Sequence, residues 1–221
     1  MRSELVGIDK SWIEGGLDLD LIEKVLDVIA EKRKTKEILP SRNDVLNAIK
    51  QTSLDNVKIL IIGQDPYPNA EHAHGLAFSS LSDKTPASLR NIFKKLEKDF
   101  PNLKHNSNTL TNWTKQGVLL LNTSLTFEDK APKVLKEHTL LWKPVIDNIY
   151  QVLINRGKTL IVFRWGAHAQ KSGEVFEGKK NIYVMDTTHP SPLSANRGFM
   201  ESDHFLKCAE ILKDTPIDWN T

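Results

Sequence analysis

Cysteine is almost missing from this sequence: Cys208 is the only one in 221 residues. One thiol cannot close a disulfide within the chain and cannot build a multi-cysteine zinc site. Set among apolar neighbours in a helical stretch, it is expected in the core. Long hydrophobic runs are lacking too. None approaches the roughly 20 residues of a membrane span, so no membrane partner is expected. Met1-Arg2-Ser3-Glu4-Leu5 carries neither the apolar centre of a signal peptide nor the basic, acid-poor character of a transit peptide, which makes a cytoplasmic protein the expectation. There is little excess of either charge: 30 Lys and Arg face 28 Asp and Glu, for a net charge of +2. That balance is compatible with nucleic-acid binding only if basic residues cluster in space. Repeats, low-complexity tracts and long linkers are absent, and one domain over residues 1–221 is expected.

Four short apolar runs are present, at Val57–Ile62, Val118–Leu121, Thr159–Phe163 and Ile182–Met185. Each is rich in Val, Ile and Leu without clean alternation, the pattern of parallel strands buried on both faces. Helical stripes lie between and around them. Leu21, Val25, Val28 and Ile29 form one, entered through Asp18 or Asp20 and left through Lys32, Arg33 and Lys34. Leu89, Ile92, Phe93 and Leu96 form another, with Ser88 as the expected N-cap. Leu141–Leu153 and Phe205–Leu212 also read as helices. Strands alternating with helices predict an α/β fold: a three-layer sandwich with a central four-stranded parallel twisted sheet flanked by helices.

A polar, Gly- and Pro-punctuated segment follows each strand. These are Gly63-Gln64-Asp65-Pro66-Tyr67-Pro68, Asn122-Thr123-Ser124, Trp165-Gly166-Ala167-His168 and Thr187-Thr188-His189-Pro190-Ser191-Pro192-Leu193-Ser194. Sites in open parallel sheets form beyond the carboxyl ends of the strands, so a carboxylate, a carboxamide and an imidazole are expected to meet there. That arrangement points to an enzyme. A zinc base deaminase needs a His-x-Glu and paired cysteines, which a single Cys excludes. A dinucleotide or P-loop domain needs glycine motifs that are not present. His72 and His74 stand two apart with no third ligand, too little for a metal site.

Taken together, Gly63-Gln64-Asp65-Pro66-Tyr67, His74-Gly75-Leu76-Ala77-Phe78-Ser79, Leu119-Leu120-Leu121-Asn122-Thr123 and His189-Pro190-Ser191-Pro192-Leu193-Ser194 resemble the family 1 uracil-DNA glycosylases. Ser88–Phe93 and Trp165–Lys171 match in order and character, and the resemblance runs from about Val57 to the C-terminus. It implies a DNA repair hydrolase that flips uracil out of single- or double-stranded DNA and cleaves its N-glycosidic bond, leaving an abasic site. It also implies a monomer with no metal or other cofactor, and a proteinaceous DNA-mimic inhibitor as a partner.

The resemblance assigns two catalytic residues. Asp65 orients water and stabilises the cationic sugar, and His189 donates to uracil O2 as negative charge gathers there. Asn122 reads the base, because a carboxamide offers the donor and acceptor that match O4 and N3–H, and cytosine presents the opposite pair. Phe78 stacks on the base, Tyr67 fills the space where thymine carries its methyl, and Gln64 contributes backbone contacts. Ser88, Gly166, Ser191 and Arg197 meet DNA phosphates, with Lys171 nearby, and Leu193 is the wedge that enters the stack. Each has a plainer structural use: turn residue for Asp65 and Asn122, strand-end cap for His189, core aromatic for Phe78, helix cap for Ser88. Pro68 replaces the His common in the family, Ala167 replaces a Ser, and the Pro-rich stretch before Ser88 shrinks to Thr85-Pro86-Ala87. The rival reading on the same fold is a catalytically weak DNA-binding or processivity protein, against which stand Asp65, Asn122 and His189.

Overall fold

In the computed structural model, residues 2–128 and 134–221 are described; residues 1 and 129–133 fall outside them. A central sheet is built from β2 (Ile59–Gly63), β3 (Val118–Asn122), β5 (Leu160–Trp165) and β6 (Ile182–Thr187). All pairings are parallel and the order is β3-β2-β5-β6. The four runs read from the sequence are these four strands, shifted by up to two residues. A second, two-stranded antiparallel pair, β1 (Ile38–Leu39) with β4 (Phe127–Glu128), has no counterpart in that reading because two residues carry no periodicity.

The first three strands are buried along their whole length, as continuous apolar runs require. The fourth corrects the expectation. β6 is only partly buried and Tyr183 is exposed, whereas β3, at the opposite edge of the sheet, is covered throughout.

Short helices α1 (Lys10–Glu14), α3 (Asn47–Gln51) and α5 (Thr111–Thr114) alternate with longer ones, of which α2 (Leu19–Lys32) begins as expected: Asp18 accepts the Leu21 N–H at 2.9 Å. Its buried face is Ile22, Val25, Leu26 and Ile29, whereas Val28 is exposed. The sequence stripe was rotated by about one position, since several equally apolar i, i+3, i+4 sets overlap in this segment. Helix α4 (Ala87–Asp99) starts before Ser88, with Pro86 at the N-cap; Ser88 caps nothing and stands in the first turn.

Helix α6 (Leu135–Asn155) begins two turns earlier than the apolar pattern suggests. Its first turns are anchored by polar burial: His138 Nδ1 meets Thr126 Oγ1 at 2.8 Å, and Trp142 Nε1 donates to the same oxygen at 2.7 Å. Pro144 interrupts the ladder opposite Leu140, and both residues are exposed, so water reaches the freed carbonyl. Helix α7 (Ala167–Ser172) follows β5, and α8 (His204–Ile211) follows β6 with Cys208 in the core. Among the described residues, no helix is long and apolar enough to cross a membrane.

Candidate active site

Each central strand ends at the same edge of the sheet, and residues at or after the ends of β2, β3 and β6 line a cavity of about 220 Å³. Gln64, Asp65, Tyr67, Phe78, Ser88, Asn122 and His189 all line it. The register explains why the two strand-end readers meet, since Gly63 of β2 pairs with Asn122 of β3. Glycine is needed there: a Cβ on Gly63 would lie 2.1 Å from Asn122 Oδ1, so any side chain would push the carboxamide out of place. No described residue hydrogen-bonds the Asn122 carboxamide, although the residue is buried. An unpaired buried amide facing a cavity is matched to a ligand with the complementary pattern.

Phe78 sits at φ 65°, a conformation that costs a bulky residue of order 1–3 kcal/mol. Neighbours hold it there. Tyr67 Oη donates to the Phe78 carbonyl at 2.9 Å, and the preceding Ala77 N–H donates to Leu120 O at 3.1 Å. The Phe78 ring lies 5.6 Å from the ring of Trp165 and 5.7 Å from that of His189.

His189 is fixed in one tautomer. The Ser191 N–H donates to its Nδ1 at 3.0 Å, which leaves the proton of the neutral ring on Nε2. Burial pushes its pKa below the ordinary value, so the ring is neutral near pH 7. Asp65 is pushed the other way, to about 6, because burial penalises its charge and no described residue donates to its carboxylate. Burial also raises the Tyr67 phenol well above its usual range.

The loop carrying His189 is bonded to itself. Ser194 Oγ donates to His189 O at 2.8 Å and stands 3.0 Å from Ser191 Oγ, while Thr188 Oγ1 donates to Ser194 O at 2.9 Å. Leu193 stands out from this knot at 85% exposure, the largest among the exposed apolar side chains described. Gly166, at φ 90°, takes the N-cap of α7, and a Cβ there would come within 2.9 Å of His189 Cβ. Gly166, Ala167, Ser194 and Arg197 line a second, more open groove of which His189 is the wall shared with the cavity. Arg197 thus lines the groove and not the cavity, and Ser191 lines neither.

One anchoring residue went unassigned in the sequence reading. Asn91 Nδ2 donates to Pro190 O at 2.8 Å, tying α4 to the peptide next to His189. In a helix that also carries Arg90, Lys94, Lys95, Glu97 and Lys98, a polar side chain at 91 gives no sequence signal of this contact. His72 and His74 are occupied elsewhere: His72 Nδ1 meets Ser80 Oγ and His74 Nε2 meets Ser79 Oγ, both at 2.7 Å. Among the described residues, no group of three or more His, Cys, Asp or Glu stands close enough to hold a metal ion.

An open parallel sheet with a carboxylate, an imidazole and an unpaired carboxamide gathered around one cavity at its strand ends is the layout of an α/β enzyme. The chain belongs to the uracil DNA glycosylase superfamily, whose sequence model matches residues 49–213. It is 41% identical to the uracil-DNA glycosylase of Francisella tularensis subsp. tularensis (strain WY96-3418) over 204 residues, covering 90% of this chain and 91% of that one. The crystal structure of mimivirus uracil-DNA glycosylase shares the fold, with a TM-score of 0.86, at 24% identity, and covers 100% of this chain and 90% of its own. A mimivirus UNG variant crystallised in complex with UGI is 25% identical, with a TM-score of 0.86 and coverage of 100% and 92%.

Proposed function

We propose that this chain removes uracil from DNA by hydrolysing its N-glycosidic bond, with Asp65 and His189 as the catalytic residues. The observation that carries the reading is the convergence of Asp65, Asn122, His189 and Phe78 on one cavity at the strand ends. Flipping brings the nucleotide out of the stack and into that cavity. Phe78 then stacks on the base, and Tyr67 closes the space a 5-methyl group would need. The Asn122 carboxamide pairs with O4 and N3–H. As the bond to the sugar breaks, His189 Nε2–H donates to O2, where negative charge collects, and Asp65 balances the cationic sugar while directing water to it. Water supplies the hydroxyl of the abasic sugar and the proton taken up by uracil. A neutral imidazole suits this role because it donates without a charge that must first be desolvated.

Ser88, Gly166, Ser191 and Arg197 contact the phosphates on either side of the flipped nucleotide, with Gln64 lining the entrance through its backbone. The Ser88 hydroxyl is free for this because Pro86, not Ser88, occupies the cap. Leu193 fills the gap left in the duplex. A DNA-mimicking inhibitor protein would dock on this same face. One continuous buried core supports a single domain over residues 1–221, and a site complete within one chain supports a monomer.

The test is incubation of the purified protein with a uracil-containing oligonucleotide in EDTA, followed by alkaline cleavage of abasic sites. Strand cleavage and free uracil are expected from single- and double-stranded DNA alike. Intact oligonucleotide that is nevertheless bound would make the chain a DNA-binding protein instead.

A further inference from the structure

Bonded to the cavity-lining Gln64, Thr123 and His168 form a chain of hydrogen bonds that the roles assigned above do not use. The Thr123 hydroxyl stands 3.0 Å from the Gln64 carbonyl and 2.6 Å from His168 Nε2. A carbonyl only accepts, so the hydroxyl proton points to Gln64. The hydroxyl oxygen then accepts from His168, which places that ring's proton on Nε2. Gln64 O also takes the Ser124 N–H at 2.9 Å, so both of its lone pairs are filled from the Asn122–Ser124 segment. The peptide fixed in this way is the one that enters Asp65. The chain therefore runs from the start of α7, through the base-reading loop, to the loop of the catalytic carboxylate.

Resting on the uracil-excising reading of the site, we propose that His168 is a positioning residue. By setting the direction of the buried Thr123 hydroxyl, it holds the Gln64–Asp65 peptide against the end of β3, so that Asp65 stays in register with the base read by Asn122. His168 itself is exposed on a six-residue helix and adds nothing to the core, so its bond to Thr123 is its main tie to the fold.

The experiment measures single-turnover cleavage and affinity for a single-stranded uracil oligonucleotide in the wild type, His168→Ala, His168→Gln, Thr123→Val and the double variant His168→Ala/Thr123→Val. His168→Ala and Thr123→Val should each slow cleavage by about tenfold, the scale of one hydrogen bond to a buried group, with affinity little changed. The double variant should be no slower than Thr123→Val, because the histidine acts through the hydroxyl. His168→Gln, whose amide nitrogen reaches the same place, should recover most of the rate. A wild-type rate in His168→Ala overturns the proposal. So do additive losses in the double variant, or weakened binding with normal cleavage, either of which would mean that His168 touches DNA directly. Should Thr123→Val not fold, Thr123→Ser, which keeps the hydroxyl, must retain the sensitivity to His168→Ala. A wild type that leaves uracil in place would instead overturn the functional reading itself.

Discussion

Burial without a hydrogen-bond donor gives Asp65 a pKa of about 6, so at neutral pH the folded chain carries an anion it does not solvate well. The sign of the effect follows from linkage. A carboxyl whose folded pKa lies above its unfolded value, here 3.8, favours folding when protonated and loses that contribution as pH rises from about 4 to about 6. Ionised Asp65 thus costs the free protein up to about 3 kcal/mol at pH 7. Asp65→Asn should raise the melting temperature by several degrees at pH 7.5 and by much less at pH 4.5, while slowing cleavage by about two orders of magnitude or more. Equal melting temperatures at pH 7.5 would show that water solvates the carboxylate fully. In the wild type, kcat/KM should fall as pH drops through about 6, where Asp65 takes up its proton. A flat profile down to pH 5 would remove Asp65 from the ionised role.

At the scale of elements, the site is a set of four strand ends tied to one another. Gly63 and Asn122 face each other across β2 and β3 with no room for a Cβ between them. Gly63→Ala should therefore displace the carboxamide and lower kcat/KM for uracil by about a hundredfold, on the scale of losing the matched donor and acceptor. Far-ultraviolet circular dichroism should remain unchanged. A variant with normal kcat/KM would mean that Asn122 does not read the base from the position seen here. The tie between α4 and the His189 loop is the Asn91 bond to Pro190 O. Asn91→Ala leaves that carbonyl without its partner, and one such bond is worth about 1 kcal/mol, so a loss of roughly fivefold in single-turnover rate is expected. Asn91→Asp, which cannot donate there when ionised, should lose at least as much. If neither variant changes the rate, the loop is held by its own Ser194 and Thr188 bonds alone.

For the molecule as a whole, the question is how a net charge of only +2 engages a polyanion. We propose that the answer lies in placement: Ser88 in the first turn of α4 lines the cavity, Arg197 lines the neighbouring groove that shares His189 with it, and Leu193 stands exposed on the loop that carries His189. Flipping a paired base costs a few kcal/mol, and a wedge in the vacated space offsets part of it. Leu193→Ala removes most of that surface, worth up to roughly 2 kcal/mol. Cleavage of duplex DNA should slow by about tenfold, with little change on a single strand, in single-turnover rates on one sequence in both forms. Equal losses on the two substrates would assign Leu193 to support of the His189 loop.

The sequence by itself determined the parallel sheet, the succession of strand and helix, and the strand-end residues that could meet. Those are local properties: buried strands declare themselves by uninterrupted apolar residues, and loops by Gly, Pro, Asn and Asp at their ends. Asp65, Asn122 and His189 were legible because each lies within a few residues of such a strand. Tertiary structure decided what depends on distant neighbours. Only the packing around the sheet covered edge strand β3 throughout and left Tyr183 of edge strand β6 in solvent. Only packing chose Leu26 over Val28 for the buried face of α2 and put Pro86 in the cap position expected of Ser88. The bonds from Asn91 to Pro190 and from His168 to Thr123 join residues 99 and 45 positions apart. A hydrogen bond has a range of about 3 Å and leaves no periodic trace in the chain, so nothing short of the folded arrangement reveals it.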